Sequence, residues 1–156
     1  MSRRLKQAAL GFVVFFAAAQ LIRPNRANPP TDESHTLQAR VGTASGLVAV
    51  LDRSCGDCHS NKTVWPWYTE IAPLSWLMTY AVNEGRKAVN FSEWTAYTAD
   101  QQQTVLAQSC RDVSQGKMPG AYSWVRPATK LSPQDVQVVC EALGQVQASF
   151  SQEGKP

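Results

Sequence analysis

Two cysteines and a histidine that could do chemistry lie close together, in the run CGDCH from Cys55 to His59. Two thiols with this spacing can each add to one vinyl group of a porphyrin, and the imidazole that follows can then bind the porphyrin's iron. The pattern therefore predicts one haem c, attached covalently through Cys55 and Cys58, with His59 as the proximal iron ligand.

Three other interpretations of the same five letters compete with haem. The CxxC spacing is also typical of thiol–disulfide redox pairs and of half a zinc site, and the cysteines could be ordinary core residues. Zinc would need a second pair of Cys or His at short spacing. Cys110 and Cys140 are thirty residues apart and His35 is isolated, so the sequence disfavours zinc.

A haem iron held by His59 has a second face, which another residue can bind. Met118 is the predicted distal ligand, because the loop GKMPG at 116–120 can point a thioether inward and lies 59 residues beyond His59. Two alternatives are Met78, on an apolar helical stripe where Met usually fills the core, and His35, in a polar segment. An open or water-filled position is the third alternative.

The elements that must position these residues are predicted to be helical throughout. Apolar residues recur at three- and four-residue steps from Leu37 to Cys55, which predicts a first helix that carries the CGDCH run at its C-terminal end. A second helix is predicted from Pro73 to about Gly85, and Ser92 is predicted to cap a short third helix. No stretch alternates convincingly with a period of two. The predicted fold is therefore all-α, a cytochrome c-like helical domain wrapped around one haem.

Two longer helices are predicted toward the C-terminus, the first from about Asp100. The second has the clearest signals, because Ser132 can cap it, Pro133 falls in its first turn and Asp135 takes the third position. Its apolar stripe consists of Val136, Val139, Cys140, Leu143, Val146 and Phe150. Cys110 and Cys140 fall on apolar faces of these two helices. An oxidising compartment predicts a disulfide between them, and two buried free thiols are the alternative.

The first 27 residues are predicted to be an export signal or a membrane anchor. Basic residues at positions 3, 4 and 6 precede an apolar run from Ala8 to Ile22 that Gln20 interrupts. Fifteen helical residues span about 22 Å, somewhat less than the ~30 Å hydrocarbon core of a bilayer. We expect an uncleaved anchor, and cleavage after Ala19, which would leave a soluble periplasmic protein, is the alternative.

The rest of the chain divides into a tether and one domain. Residues 28–35 are polar and contain two prolines, which predicts a short stiff tether, and residues 36–156 are enough for one haem-binding domain. The first 27 residues hold five of the fifteen Lys and Arg and none of the twelve Asp and Glu. The remainder is therefore slightly acidic, so the sequence gives no support for nucleic-acid binding.

A cluster of aromatic residues follows the CGDCH run. Trp65, Trp67 and Arg86 are candidate contacts for the haem, although aromatic side chains around a flat macrocycle can also be simple packing. Pro66 or Pro73 is expected to offer a backbone carbonyl to the second ring nitrogen of His59, which would raise the basicity of that ligand.

Several further runs accompany CGDCH: Ser60-Asn61, Trp65 to Tyr68, Ile71 to Pro73, Ser75-Trp76, Gly85-Arg86, Asn90 to Trp94, Gly116 to Pro119, Tyr122, Pro127, and Lys130 to Ser132. With these runs the chain resembles the haem-binding domain family of small bacterial, membrane-anchored c-type cytochrome-like proteins. The resemblance implies a membrane-associated, periplasm-facing protein with one haem and with Met118 as the distal residue. Family members often have a histidine where Arg126 stands here.

These features together predict a single-haem c-type cytochrome that transfers electrons in the bacterial periplasm and associates with the inner membrane through its N-terminus. The redox partner is not identified by the sequence. A haem-based sensor or small-ligand-binding protein with a labile distal position is the alternative. A peroxidase-type enzyme would need a distal acid–base residue, for which the sequence offers only His35, so an electron carrier is favoured over an enzyme.

Overall fold

The computed structural model describes residues 2–41 and 46–153, the side chains of residue 143 and of residues 145–153 excepted. These ranges contain eight α-helices and no β-strand, which confirms the all-α prediction. The helices are α1 (Arg3–Ala19), α2 (Leu37–Val41), α3 (Gly46–Ser54), α4 (Gly56–His59), α5 (Leu74–Ala88), α6 (Ala99–Ser114), α7 (Tyr122–Val125) and α8 (Pro133–Glu153). Short 3-10 helices occur at Glu33–His35, Trp67–Glu70, Phe91–Ala96 and Pro127–Thr129.

The hydrophobic core gathers side chains from α3, α6, α8 and the 3-10 helix Phe91–Ala96. Leu47, Trp94, Leu106 and Val139 are all fully buried within one cluster. Complete burial of an aliphatic or aromatic side chain of this size stabilises the folded state by ~1.5–3 kcal/mol. Cys55 packs against the same cluster, so the core fixes the start of the CGDCH run.

The two long C-terminal helices begin where side chains cap their first turns. Ser132 Oγ accepts a hydrogen bond from the Asp135 N–H at 3.1 Å, and Asp135 Oδ2 accepts one from the Ser132 N–H at 2.8 Å. This arrangement confirms the predicted cap of α8. Helix α6 has a capping box that the sequence analysis missed, in which Thr98 and Gln101 exchange the equivalent pair of bonds.

The structure describes the predicted first helix in two parts. These parts are α2 and α3, on either side of residues 42–45, which lie outside the described residues. Helix α3 ends at Ser54, immediately before Cys55, and the rest of the CGDCH run forms the separate one-turn helix α4. The run therefore follows a helix as expected but has its own turn.

Two further boundaries differ from their predictions. Helix α5 continues past Gly85 to Ala88, because Gly85 does not adopt the left-handed backbone with which a glycine ends a helix. Ser92 does not cap the next element. Asn90 does so instead, its Oδ1 accepting a hydrogen bond from the Ser92 N–H at 3.0 Å, and the element is the 3-10 helix Phe91–Ala96.

The N-terminal helix α1 has 17 residues and buries none of them. No helix within the described ranges is both long enough and apolar enough to cross a membrane. The chain that follows α1 lies against the domain. Trp76 Nε1 donates to the Ile22 carbonyl at 2.8 Å, and Asn61 Nδ2 donates to the Pro30 carbonyl at 3.1 Å. The segment predicted as a tether is thus held along the surface of the domain.

Candidate functional site

The CGDCH run is held in place by the end of α3 and by its own short turn. The Cys55 N–H donates to the Leu51 carbonyl at 2.9 Å, which continues the backbone bonding of α3. The His59 N–H donates to the Cys55 carbonyl at 2.9 Å and closes the turn of α4. This turn brings Cys55, Cys58 and His59 together along one wall of a cavity.

The cavity has a volume of about 340 Å³, within the ~300–1,000 Å³ typical of sites that bind small molecules and cofactors. Its walls are mostly apolar and come from parts of the chain that are far apart in sequence. The apolar residues that line it include Leu51, Val89, Phe91, Val105, Leu106, Val113, Pro119 and Val139. A flat, largely apolar cofactor next to two thiols and an imidazole suits these walls.

The imidazole of His59 is oriented from behind by the end of α5. Its Nδ1 lies 3.2 Å from the Val89 carbonyl oxygen, which leaves Nε2 as the nitrogen available to a metal. Pro66 and Pro73 do not supply this carbonyl, contrary to the sequence expectation. Burial lowers the pKa of His59, and hydrogen bonds to the Val89 and Gly85 carbonyls oppose that effect. A neutral imidazole is the form that binds metal.

The two thiols of the run are poorly suited to redox exchange. Burial raises the pKa of Cys55 to about 12 and the pKa of Cys58 to about 11, and the two cysteines are not bonded to each other. Redox-active cysteines instead have lowered pKa values and electropositive surroundings. Within the described ranges, no cluster of three or more Cys, His, Asp or Glu could hold a metal ion. The redox interpretation of CxxC therefore loses support.

Gly85 allows α5 to lie unusually close to the CGDCH run. A Cβ added at Gly85 would lie 2.5 Å from the Cys58 carbonyl oxygen and 3.1 Å from the Cys58 Cβ. Any side chain at this position would push α5 away from α4. The absence of a Cβ thus keeps the carbonyl groups of α5 next to His59, a role that the sequence analysis did not assign to Gly85.

Met118 lies on the rim of the cavity, in the loop between α6 and α7 where it was predicted. Its side chain is 44% exposed, and its backbone N–H donates to the Asp112 carbonyl at 3.3 Å. Neither alternative ligand lines the cavity. Met78 is buried on the inner side of α5, and His35 is exposed in the 3-10 helix Glu33–His35.

The residues named as candidate haem contacts lie outside the cavity lining. Trp67 is 76% exposed, whereas the Trp65 Nε1 is buried with no acceptor among the described residues. Arg86 holds the chain around the CGDCH run together, donating from Nε to the Ser60 carbonyl at 2.8 Å and from a terminal nitrogen to Thr63 Oγ1 at 2.9 Å. In the structure Arg86 therefore acts on the backbone that follows His59.

A buried cluster beside the cavity joins the CGDCH run to the segment after Met118. Asp57 is 8% exposed, and its Oδ2 accepts hydrogen bonds from the Tyr122 hydroxyl at 2.9 Å and from a terminal nitrogen of Arg126. The Tyr122 and Asp57 oxygens raise the pKa of Arg126, which stays charged, while burial raises the pKa of Tyr122. The sequence analysis assigned no role to Asp57. The sequence signal that could have indicated such a role is the position of this carboxylate between Cys55 and Cys58.

Cys110 of α6 and Cys140 of α8 are bonded, with an S–S distance of 2.02 Å. The bond ties the wall of the cavity that α6 provides to the C-terminal helix. A stable structural disulfide is typical of exported proteins.

The sequence model of the haem-binding domain family matches residues 14–145, which is most of the chain. The match covers the end of α1, the CGDCH run, the cavity and the first half of α8. No curated protein and no solved structure matches the chain.

Proposed function

The chain belongs to the haem-binding domain family, and we propose that it is a single-haem c-type cytochrome that transfers electrons. The observation that carries the proposal is that Cys55, Cys58, His59 and Met118 all line one apolar cavity. Cys55 and Cys58 would hold the haem through thioether bonds. The Nε2 of His59 would bind the iron as the proximal ligand, and the sulfur of Met118 would be the distal ligand.

The bound haem would supply one-electron chemistry, the iron alternating between its ferric and ferrous forms. The protein contributes the setting that tunes this chemistry. The Val89 carbonyl behind His59 increases the basicity of the imidazole, whereas a thioether ligand favours ferrous iron and raises the reduction potential. The apolar walls of the cavity would exclude water from a bound haem.

The polar side chains of the cavity favour electron transfer over peroxidase-type catalysis. A peroxidase needs a free acid–base group on the distal side. The Asp112 carboxylate accepts a hydrogen bond from Gln108 at 2.9 Å and lies 3.7 Å from Lys117 Nζ. The Tyr122 hydroxyl donates to Asp57. Both groups are therefore already engaged by other protein residues.

The 44% exposure of Met118 favours one second candidate, a haem-based sensor whose distal ligand leaves when a small molecule binds. An exposed thioether at the rim is held by fewer contacts than a buried one, so exchange is easier. The spectroscopic experiment below separates the two candidates.

We further propose that the protein is exported and stays at the bacterial inner membrane, with the domain in the periplasm. Helix α1 exposes large apolar side chains around its surface, including Leu10, Phe12, Val13 and Phe15. Covering these apolar side chains with lipid lowers the free energy of the helix. The Cys110–Cys140 disulfide agrees with an oxidising compartment.

Acid–acetone extraction tests covalent attachment. Protein exported by a host that matures cytochromes should keep its red colour after denaturation and extraction, and Cys55→Ala/Cys58→Ala should lose it. Colour that washes out of the wild-type protein would refute the proposal.

Spectroscopy tests the distal ligand. The ferric protein should show the weak near-infrared band of a sulfur–iron bond, and the reduced protein should not bind carbon monoxide rapidly. Met118→Ala should abolish the band and open the site to carbon monoxide. Rapid carbon monoxide binding by the wild-type protein would favour the sensor.

A further inference from the structure

Met118 belongs to a segment that we call the strap, residues 116–126, which follows α6. The strap lines the cavity with Met118, Pro119 and Tyr122 and ends at Arg126. One end of the strap is fixed to α6. Gly116 takes a left-handed backbone with φ 68°, and the Lys117 and Met118 N–H groups both donate to the Asp112 carbonyl, at 2.9 and 3.3 Å. Beyond Met118, no backbone N–H of the strap donates to a carbonyl of α6 among the described residues.

The other end of the strap is fixed to the CGDCH run itself. The Tyr122 hydroxyl and a terminal nitrogen of Arg126 both donate to Asp57 Oδ2, while Asp57 Oδ1 accepts from the Val64 N–H at 3.0 Å. Asp57 lies between the two cysteines and is almost completely buried. The same carboxylate thus joins the proximal side of the cavity to the strap that carries Met118.

From this geometry we propose that Asp57, Tyr122 and Arg126 form a latch that positions Met118 over the cavity. Movement of the strap away from the cavity would separate Arg126 from the buried Asp57 carboxylate. An unpaired buried carboxylate is strongly unfavourable, so the ion pair opposes that movement. The three residues are positioning residues, since they act through Met118 and do not bind the iron. The inference rests on the proposed ligation by His59 and Met118.

Arg126→Gln tests the latch in the full-length haem protein. The variant removes the cation but keeps a side chain of similar length, and Arg126→Lys restores the charge without the planar fork of donors. Arg40→Gln is the matched control, because Arg40 is exposed on α2 and does not line the cavity. Tyr122→Phe is a second, milder variant that removes one hydrogen bond and keeps the ring.

The measurements are the near-infrared sulfur–iron band of the ferric protein and the rate at which the ferrous protein binds carbon monoxide. We expect Arg126→Gln to weaken the band and to raise the rate of carbon monoxide binding by about tenfold or more. The rate should rise in proportion to the fraction of molecules in which the strap has moved away from the cavity. Arg126→Lys should recover part of the loss, Tyr122→Phe should show a smaller change in the same direction, and Arg40→Gln should match the wild type.

A wild-type band and a wild-type rate in Arg126→Gln would overturn the latch, as would an equal change in Arg40→Gln. If Arg126→Gln does not fold, Tyr122→Phe decides, and an unchanged rate there overturns the proposal. A missing band in the wild-type protein would instead refute Met118 as a ligand. The band of the wild-type protein therefore distinguishes the two failures, and acid–acetone extraction of each variant shows whether covalent attachment is intact.

Discussion

Replacing Gly85 with alanine should displace the CGDCH run, because α5 and α4 are in backbone contact there. The new Cβ would lie 2.5 Å from the Cys58 carbonyl oxygen, and ordinary contact begins at 3.4 Å. The two backbones would therefore have to separate by about 0.9 Å. The obstacle is a backbone atom, so a side-chain rotation cannot relieve it.

The net cost of Gly85→Ala is the difference of two opposing effects. Overpacking of this kind costs ~1–3 kcal/mol, and the rigid obstacle places it near the upper value. The better helix propensity of alanine returns up to ~1 kcal/mol. We expect the free energy of unfolding to fall by ~2 kcal/mol and the haem absorption bands to shift, because the Val89 carbonyl behind His59 moves with α5.

Gly144→Ala is the matched control for this prediction. Gly144 lies within α8, and apart from the backbone of that helix no described atom lies within 4 Å of the Cβ position, so the substitution adds helix propensity without a clash. Urea unfolding followed by circular dichroism should show Gly144→Ala equal to or more stable than the wild type, and Gly85→Ala less stable. A Gly85→Ala protein as stable as Gly144→Ala, with an unchanged spectrum, would show that this close approach does not exist.

Two further predictions concern the C-terminal helices. Replacing Cys110 and Cys140 together with serine should lower the free energy of unfolding by ~3–4 kcal/mol, since their bond closes a loop of 30 residues, and a loss below ~1 kcal/mol in urea unfolding would contradict this. Hydrogen bonds from Ser132 and Arg53 hold the pKa of Asp135 below its ordinary range. These bonds therefore stabilise the folded state at neutral pH, and this stabilisation is lost as the pH falls below ~4 through the folded-state pKa. Asp135→Asn should therefore cost ~1 kcal/mol at pH 7 and much less near pH 3, and an equal cost at both pH values would refute the explanation.

Local signals in the sequence were sufficient for the all-α class and for the start of α8. The cap of α8 was predicted because Ser132 and Asp135 bond to each other's backbone within one turn. Ser92 was misassigned as a cap because its hydroxyl accepts a hydrogen bond from the distant Asn61 N–H, while Asn90 accepts one from the Ser92 N–H and caps the element. The Thr98–Gln101 box is equally local, but the predicted start of this helix at about Asp100 lies inside the box.

The surroundings of the site could not be predicted in the same way. The carbonyl behind His59 comes from Val89 and not from Pro66 or Pro73, because α5 runs three residues beyond its expected end and brings Val89 to the ring. Arg86 was named as a candidate haem contact, and the structure shows its guanidinium hydrogen-bonded to Ser60 and Thr63. Each of these contacts joins residues that are more than twenty positions apart.

The sequence by itself determined that two thiols and an imidazole lie together, because residues within five positions of the chain have nearly fixed relative positions, and the proposed attachment depends on this group. Only the tertiary structure decided what surrounds them: the close approach at Gly85, the Val89 carbonyl and the ion pair of Asp57 with Arg126. The physical reason is that a buried charge or a backbone contact depends on which distant segment packs there. That choice is made by the whole core and not by the residues on either side.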